Sequence, residues 1–585
     1  MKGKRYTQMI LTFKKISIYI LLSLAVLSCN HTQRNFEPEN ETEEIRINQL
    51  GYLPHRVKKF VVVNTEASEF EVVDRNGKTV FSGDLIDQGE WTSSGEQVKI
   101  GDFTSFDEAG LDYRILVEGT GLSYAFDISY DVFTEAGKAS IKSYYFQRNS
   151  MPIEERNGGK FARPAGHPDD TVYYHSSSGR SSGFKSSKYG WYDAGDYGKY
   201  VVNAGVSAGT MLALYERFPD VFADGSLNIP ESGNGQNDLL DEIRYELDWL
   251  ITMQDNDGGV FTKVTTKNFV GFVMPHETHE DRYFIGKSTA ASLNYAALLA
   301  MASRIYQEID SEFAEDILNM AEKAWNWAVT HPEKYYRNPE DIFTGGYGDR
   351  NVTQEWFWAA AELYITTGEE RYLEPISNKL DKIQFNVGGS WANYQDKIGY
   401  FSLLGKNSPL DDTGKSTIKT SLINLTDSLG TVLESTPYHI PIDRFVWGSN
   451  SDILNTAVLF ANAFLETGDP KYLNWSIETT DYVLGKNATG YSFLTGFGDK
   501  KVMHIHHRPS GADGIDEPVP GFVAGGPNAG MNDRNDLGEG ASYPDQTHPA
   551  KVYIDAQGSY ASNEVCLNWN APMVYMFGFL EGVKY

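Results

Sequence analysis

The chain has 585 residues and a formal charge of −28, with 41% hydrophobic and 13% aromatic residues. That charge repels phosphate backbones and anionic lipid headgroups, which argues against nucleic acid as a partner. The 35 Tyr, 31 Phe and 11 Trp residues offer apolar faces of the kind on which a neutral carbohydrate ring stacks.

Two cysteines, Cys29 and Cys566, are too few for a disulfide framework or a thiolate zinc site. At the N-terminus Lys2, Lys4, Arg5, Lys14 and Lys15 precede an apolar run from Ile16 to Leu27. This reads as a signal peptide over residues 1–28, too short to span a bilayer. Val26-Leu27-Ser28-Cys29 resembles a bacterial lipobox, which implies cleavage before Cys29 and lipidation of its thiol. The expected location is therefore the bacterial cell envelope, at the outer membrane and on a face left open. The only membrane contact would be through that anchor. Residues 29–44, with Pro38 and the acidic run Glu39 to Glu44, read as a flexible tether.

From residue 45 to 130, short β-rich runs recur: Ile45–Asn48, Lys59–Asn64, Glu69–Asp74, Gln97–Ile100, Tyr113–Glu118 and Ser123–Ile128, with Asn76-Gly77 as a hairpin signal. The spacing predicts a small immunoglobulin-like β-sandwich, serving as a strut for the next domain or as a sugar-binding module in its own right. From 131 to 585 the pattern turns helical. Asn237–Gln254 places Leu239, Leu240, Ile243, Leu247 and Leu250 on one face. Similar segments at 135–148, 200–218, 288–306, 313–329, 354–367, 371–385, 454–467, 472–484 and 564–580, with almost no strand signal, predict an all-α domain. The long connection from Gly485 to Asn563 is where function is expected.

The chemistry begins in Gly190-Trp191-Tyr192-Asp193-Ala194-Gly195-Asp196-Tyr197-Gly198. Two carboxylates three residues apart, among glycines and rings, read either as half of an active site or as a turn that caps the following helix. Asp196 falls just before that helix, where the macrodipole favours the ionised carboxylate a general base needs. In Met503-His504-Ile505-His506-His507-Arg508-Pro509 the histidines and arginine are suited to sugar hydroxyls, or His504 and His506 to a metal. Glu564 opens an apolar stretch with Val565, Cys566, Leu567 and Trp569, and is placed in the first turn of the last helix. A helix N-terminus lowers a carboxyl pKa, so a general acid there needs desolvation and nearby negative charge to raise it.

These motifs, in this order, resemble glycoside hydrolase family 9, the inverting endo-glucanases, in members with an N-terminal immunoglobulin-like domain. The resemblance runs from Ile45 to Tyr585. It rests on Ile45–Tyr52, Trp191–Lys199, Trp447-Gly448-Ser449-Asn450, Tyr482–Asn487, His506-His507-Arg508 and Tyr560–Pro572. It implies an (α/α)6 barrel that cleaves β-1,4-glucan, whether cellulose-type, mixed-linkage or xyloglucan. By position it makes Asp196 the general base, Asp193 its partner in holding water, and Glu564 the general acid. His506 and Arg508 would bind sugar hydroxyls, with Trp191, Tyr192, Tyr197 and Tyr560 as stacking faces. Inversion asks for carboxyl groups about 6.5–9.5 Å apart.

No cofactor and no metal is assigned. The cysteines that bind zinc in some relatives are absent from Arg148-Asn149-Ser150 and Ala165-Gly166-His167, and residues 351–355 do not match one branch's calcium ligands, so a structural calcium ion stays unplaced. A monomer is expected. The alternatives are a lipid-anchored glycan-binding protein on a hydrolase scaffold and an α/α-barrel polysaccharide lyase, the latter disfavoured by the −28 charge.

Overall fold

The computed structural model describes residues 41–380, 382–383 and 394–583. The expected signal peptide, the lipidation of Cys29 and most of the expected tether lie outside the described residues. The end of that tether departs from expectation, because Glu41–Glu44 are docked and not free. Thr42 N donates to Leu122 O (2.8 Å), and Glu41 and Glu43 pair with Arg114 and Lys500 (2.6 Å each). The partners that hold this acidic run lie far away in sequence.

The N-terminal sandwich contains β1 (Ile45–Arg46), β2 (Lys59–Val63), β3 (Glu69–Val73), β4 (Thr79–Trp91), β5 (Glu96–Asp102), β6 (Gly110–Val117), β7 (Gly121–Leu122) and β8 (Phe126–Ile128). They pair in the order β1-β2-β5-β4-β3-β6-β7, with β8 on β6. β4 has no counterpart among the sequence-predicted strands. Its residues, all but Leu85 and Trp91 exposed or half-buried, with Gly83 and Gly89, give no two-residue alternation, yet it joins the two layers. Its first part pairs with β3 through Asp84, and its second with β5 from Leu85 onward. Phe60, Phe70, Phe103, Ile115 and Phe126 fill the sandwich. The opposite face of β2 and β5 (Val61, Val63, Val98, Ile100), together with Trp91, merges into the core of the helical part. The Trp91 ring lies 4.7 Å from that of Tyr438.

Twelve helices of eight or more residues follow among the described residues: α1 (Thr134–Gln147), α2 (Val201–Arg217), α3 (Asp238–Thr252), α4 (Thr289–Tyr306), α5 (Ser311–Thr330), α6 (Thr353–Thr367), α7 (Leu373–Leu380), α8 (Gln395–Leu404), α9 (Asp412–Ser435), α10 (Ser449–Thr467), α11 (Pro470–Val483) and α12 (Leu567–Gly582). The even-numbered helices pack on one another as an inner ring, α2 on α4, α4 on α6, α6 on α8, α10 on α12 and α12 on α2. The odd-numbered helices pack outside them, giving an (α/α)6 barrel. Inner helices are apolar nearly all round, as α4 with Ala290, Ala291, Ala296, Ala297, Ala300 and Ala302 buried shows. Outer helices carry a single buried stripe, such as Ile418, Leu422, Leu429 and Leu433 on α9.

α8 and α9 were not anticipated from sequence. In α9 the four buried aliphatic positions are scattered among Thr, Ser and Gly, residues of low helix propensity. The helical part also carries a sheet that sequence periodicity missed: β9 (Val172–Tyr174), β10 (Phe184–Lys185), β11 (Lys199–Tyr200), β12 (Phe261–Thr265) and β13 (Tyr283–Lys287), in the order β10-β9-β13-β12-β11. Strands of two to five residues are too short to establish a period.

Candidate active site

All the inner helices run the same way, so the loops that enter them collect at one mouth of the barrel. The segment 190–198 enters α2, Gly345–Gly348 enters α6, Trp447 enters α10 and Glu564 enters α12. Positive helix ends therefore surround the mouth, where negative charge is favoured.

The Asp193–Asp196 loop is fixed by its backbone. Tyr192 N donates to Gln147 O (2.8 Å), Asp193 N to Gly198 O (2.9 Å) and Leu567 N to Asp193 O (2.9 Å). Gln147 Nε2 donates to Ala194 O (2.8 Å) and Arg508 Nη1 to Gly195 O (2.7 Å). Ala194 and Cys566 form an antiparallel bridge, His506 and Glu564 a parallel one. Only glycine fits at 195, since a Cβ there would lie 2.1 Å from His506 O and 3.1 Å from Glu564 Oε1. The structure thus brings Asp193, Asp196, His506, Arg508 and Glu564 into one cleft, although more than half the chain separates the first from the last.

The carboxylates differ in their partners. Asp193 is buried. Its Oδ2 accepts from Tyr347 Oη (2.6 Å) and its Oδ1 from Asn203 Nδ2 (2.9 Å). Burial, and then the charge of Asp196, raise its pKa to about 8, against the pull of those two bonds. Both hydrogen bonds to Asp196 fall on Oδ2, from Gly198 N (2.9 Å) and Tyr200 Oη (3.3 Å). Glu564 is pushed well above the ordinary carboxyl range by burial and then by Asp196, while Arg508 pulls the other way. No hydrogen bond among those described joins Glu564 to either aspartate. Glu564 also precedes α12 by three residues and does not sit in its first turn, in contrast to expectation. It belongs to a bridge, so the conflict with a helix dipole falls away and desolvation governs.

The expected binding residues fall into two groups. His506 stays at the cleft with Nδ1 donating to Gln557 O (2.7 Å), and burial lowers its pKa to about 4, so the ring is neutral. Tyr560 stands between His506 (6.0 Å) and Trp447 (5.5 Å), the latter 44% exposed. Three other rings are not the stacking faces expected. Trp191 is 1% exposed, with Nε1 donating to Glu242 Oε1 (2.8 Å). Tyr192 is 0% exposed and its hydroxyl meets His167 (2.8 Å); Tyr197 is buried, donating to Val273 O (2.6 Å). Alternating glycines cannot reveal which rings turn inward. Arg508 is also largely engaged, with Nε on Val270 O (2.9 Å) and Nη1 on Gly195 O, and its guanidinium lies over Phe269 and Phe272. His504 is exposed. Among the described residues no group of three or more His, Cys, Asp or Glu is arranged to hold a metal ion.

Sequence reasoning missed Tyr347, Asn203 and Lys263. Tyr347 has φ of 41°, a left-handed backbone that a tyrosine rarely adopts and that surrounding contacts must enforce. Its setting, Gly345-Gly346-Tyr347-Gly348 ahead of an inner helix, repeats the texture of 190–198 and was the available signal. Lys263, lowered to about 7 by burial, donates to Thr344 Oγ1 (3.0 Å) and Asn338 Oδ1 (2.9 Å), fixing the loop that leads to Tyr347.

A double ring of helices whose mouth gathers three carboxyl groups, two of them pushed above their ordinary range, defines a glycosidase-type barrel. The chain belongs to glycosyl hydrolase family 9: the family's model matches residues 133–577, and that of the cellulase N-terminal ig-like domain matches 40–121. It is 40% identical to a xyloglucan-specific endo-β-1,4-glucanase of Bacteroides ovatus over 92% of this chain and 94% of that one. With endoglucanase D of Acetivibrio thermocellus it shares 33% identity over 92% of this chain and 83% of the other. A solved structure, Bacteroides ovatus GH9, superposes with a TM-score of 0.85 at 39% identity, covering 93% of this chain and 100% of that one.

Proposed function

We propose that the protein is an inverting endo-β-1,4-glucanase in which Glu564 is the general acid and Asp196 the general base. The observation that carries this is the raised pKa of Glu564 beside Asp196 in one cleft. A carboxyl group that keeps its proton near neutral pH can protonate the leaving glycosidic oxygen. Asp196 takes a proton from the water that attacks the anomeric carbon from the opposite face. Asp193, held by Tyr347 and Asn203, orients that water. One displacement with no covalent intermediate releases the product with inverted configuration. His506 and the Tyr560–Trp447 pair supply a hydrogen-bonding ring nitrogen and stacking faces for the bound chain.

The substrate is a neutral β-1,4-glucan, and xyloglucan is the first polymer to assay, given the named specificity of the Bacteroides ovatus relative. Attachment to an envelope through lipidated Cys29 belongs to the same reading, supported by the lipobox-like sequence alone. A structural calcium ion, which the family resemblance allows, is given no position in this reading.

The test is Glu564→Gln and Asp196→Asn on soluble xyloglucan and mixed-linkage glucan, with the anomer of the first product followed by NMR. Loss of reducing-end release in both variants and an initial α-anomer from the parent are expected. Near-parental rates, or a β-anomer, would refute the assignment.

A further inference from the structure

The outer face of the small sheet carries a row of rings that the cleavage site does not use. The register pairs Phe184 with Tyr173, Tyr173 with Tyr283 and Tyr283 with Thr265 across four adjacent strands, so these residues share one face. The opposite face, with Val172, Val264 and Phe284, is core. On the outer face of such a sheet polar residues are the ordinary choice. Here Phe184 is 61% and Tyr173 38% exposed, and ring centroids follow one another at 6.2 and 6.1 Å.

At its β12 end the row is tied to the cleft through two buried residues, Thr265 and Thr344. From Thr265, Thr344 is reached by a hydroxyl hydrogen bond (3.0 Å), and Phe343, 65% exposed, is anchored by its amide to Lys267 O (2.8 Å). Four residues further on, Tyr347 bonds Asp193. From β12 the row extends about 14 Å, three strand spacings of about 4.8 Å.

We propose that Phe184, Tyr173, Tyr283 and Phe343 form a track that binds a β-glucan chain beyond the cleavage site. The inference rests on the glucanase reading for its ligand. Exposed rings in sequence along a surface bind flat, semi-apolar faces, and the −28 charge disfavours an acidic polymer. Lys267 and Asp341, paired at 2.7 Å beside Tyr283, place polar groups within reach of sugar hydroxyls. A polymer chain that leaves the cleft on this side reaches the track, whereas a short oligosaccharide occupies only the cleft.

The experiment places Phe184→Ala with Tyr173→Ala in a Glu564→Gln background and measures retardation in native gels containing soluble xyloglucan or mixed-linkage glucan. At least a fivefold weaker apparent affinity is expected, with Phe184→Trp retaining the parental value. In the active enzyme the same pair raises KM for polymer by a similar factor and leaves kcat/KM on a short cello-oligosaccharide unchanged. Unchanged retardation, or an equal loss on the short substrate, overturns the track. Retardation does not require cleavage, so a parent that hydrolyses no β-glucan refutes the enzymatic reading while the gel still judges the track.

Discussion

Glu478 is buried and Glu564 half-buried, both on the helical part of the molecule, and their environments drive them in opposite directions. Glu478, 2% exposed where the β-sandwich meets α11, lies against His439 (2.9 Å) and Lys59 (3.0 Å), with Lys486 nearby, and its pKa falls to about 2. Glu564 faces Asp196, and its pKa rises. Burial opposes ionisation in both cases. The sign of the nearest charges decides whether the group becomes a permanent anion in an interface or a carrier of protons. A buried carboxylate among cations holds two domains together; one among carboxylates is available for acid–base chemistry.

The contrast can be broken from either side. The largest effect is expected at the cleft, where Glu564→Gln or Asp196→Asn lowers kcat about a thousandfold, within the range ascribed to general acid–base catalysis, with the melting temperature kept. Steady-state kinetics with a thermal scan checks this. Next, Glu478→Gln leaves Lys59, Lys486 and His439 without their carboxylate and costs about 3 kcal/mol of stability, as removal of one partner from a buried ion pair does. Denaturant unfolding reads the loss, and kcat of the folded fraction is retained.

A smaller effect is expected of Tyr347→Phe. With one donor to Asp193 removed, kcat falls about tenfold, the equivalent of about 1.4 kcal/mol, with KM little changed.

The pH dependences run opposite ways. Glu478 has a folded pKa of about 2, below its ordinary 4.5. Its contribution is full above pH 4.5 and is lost as pH falls toward 2. Asp193, at about 8 against 3.8, disfavours the folded state progressively as pH rises between those values. The smallest expected effect is on stability: Asp193→Asn raises the melting temperature at pH 8 by about 2 °C and has no such effect near pH 4, while activity is lost. On the parent enzyme the alkaline limb of kcat/KM reports deprotonation of Glu564. Because Arg508 lowers that pKa, Arg508→Gln moves the limb to higher pH.

Much of this could be read in advance, for identifiable reasons. The outer helices α3, α5 and α11 fall close to their predicted spans because an apolar stripe of period 3.6 survives in the local sequence, and the inner helices α2, α4, α6, α10 and α12 because their apolar runs are too long for strands. Asp193 and Asp196 stood out because their glycine and aromatic neighbours exceed what a turn needs. Tyr347 carried the same texture and went unread because its side chain is not a carboxylate. The inward turn of Trp191, Tyr192 and Tyr197, the docking of Glu41–Glu44 and the engagement of Arg508 with Val270 and Gly195 had no local signal. Each depends on a partner dozens to hundreds of residues away.

The amino-acid order alone determined the succession of a β-rich and a helical part, and the kinds of side chain gathered around positions 193–196, 506–508 and 564, since periodicity and motif are local properties. Only the folded chain decided that these stretches share a mouth, which rings face solvent and which carboxyl groups are pushed toward the protonated form. Those outcomes depend on distances and burial between remote segments, and such quantities exist only once the inner helices have closed their ring.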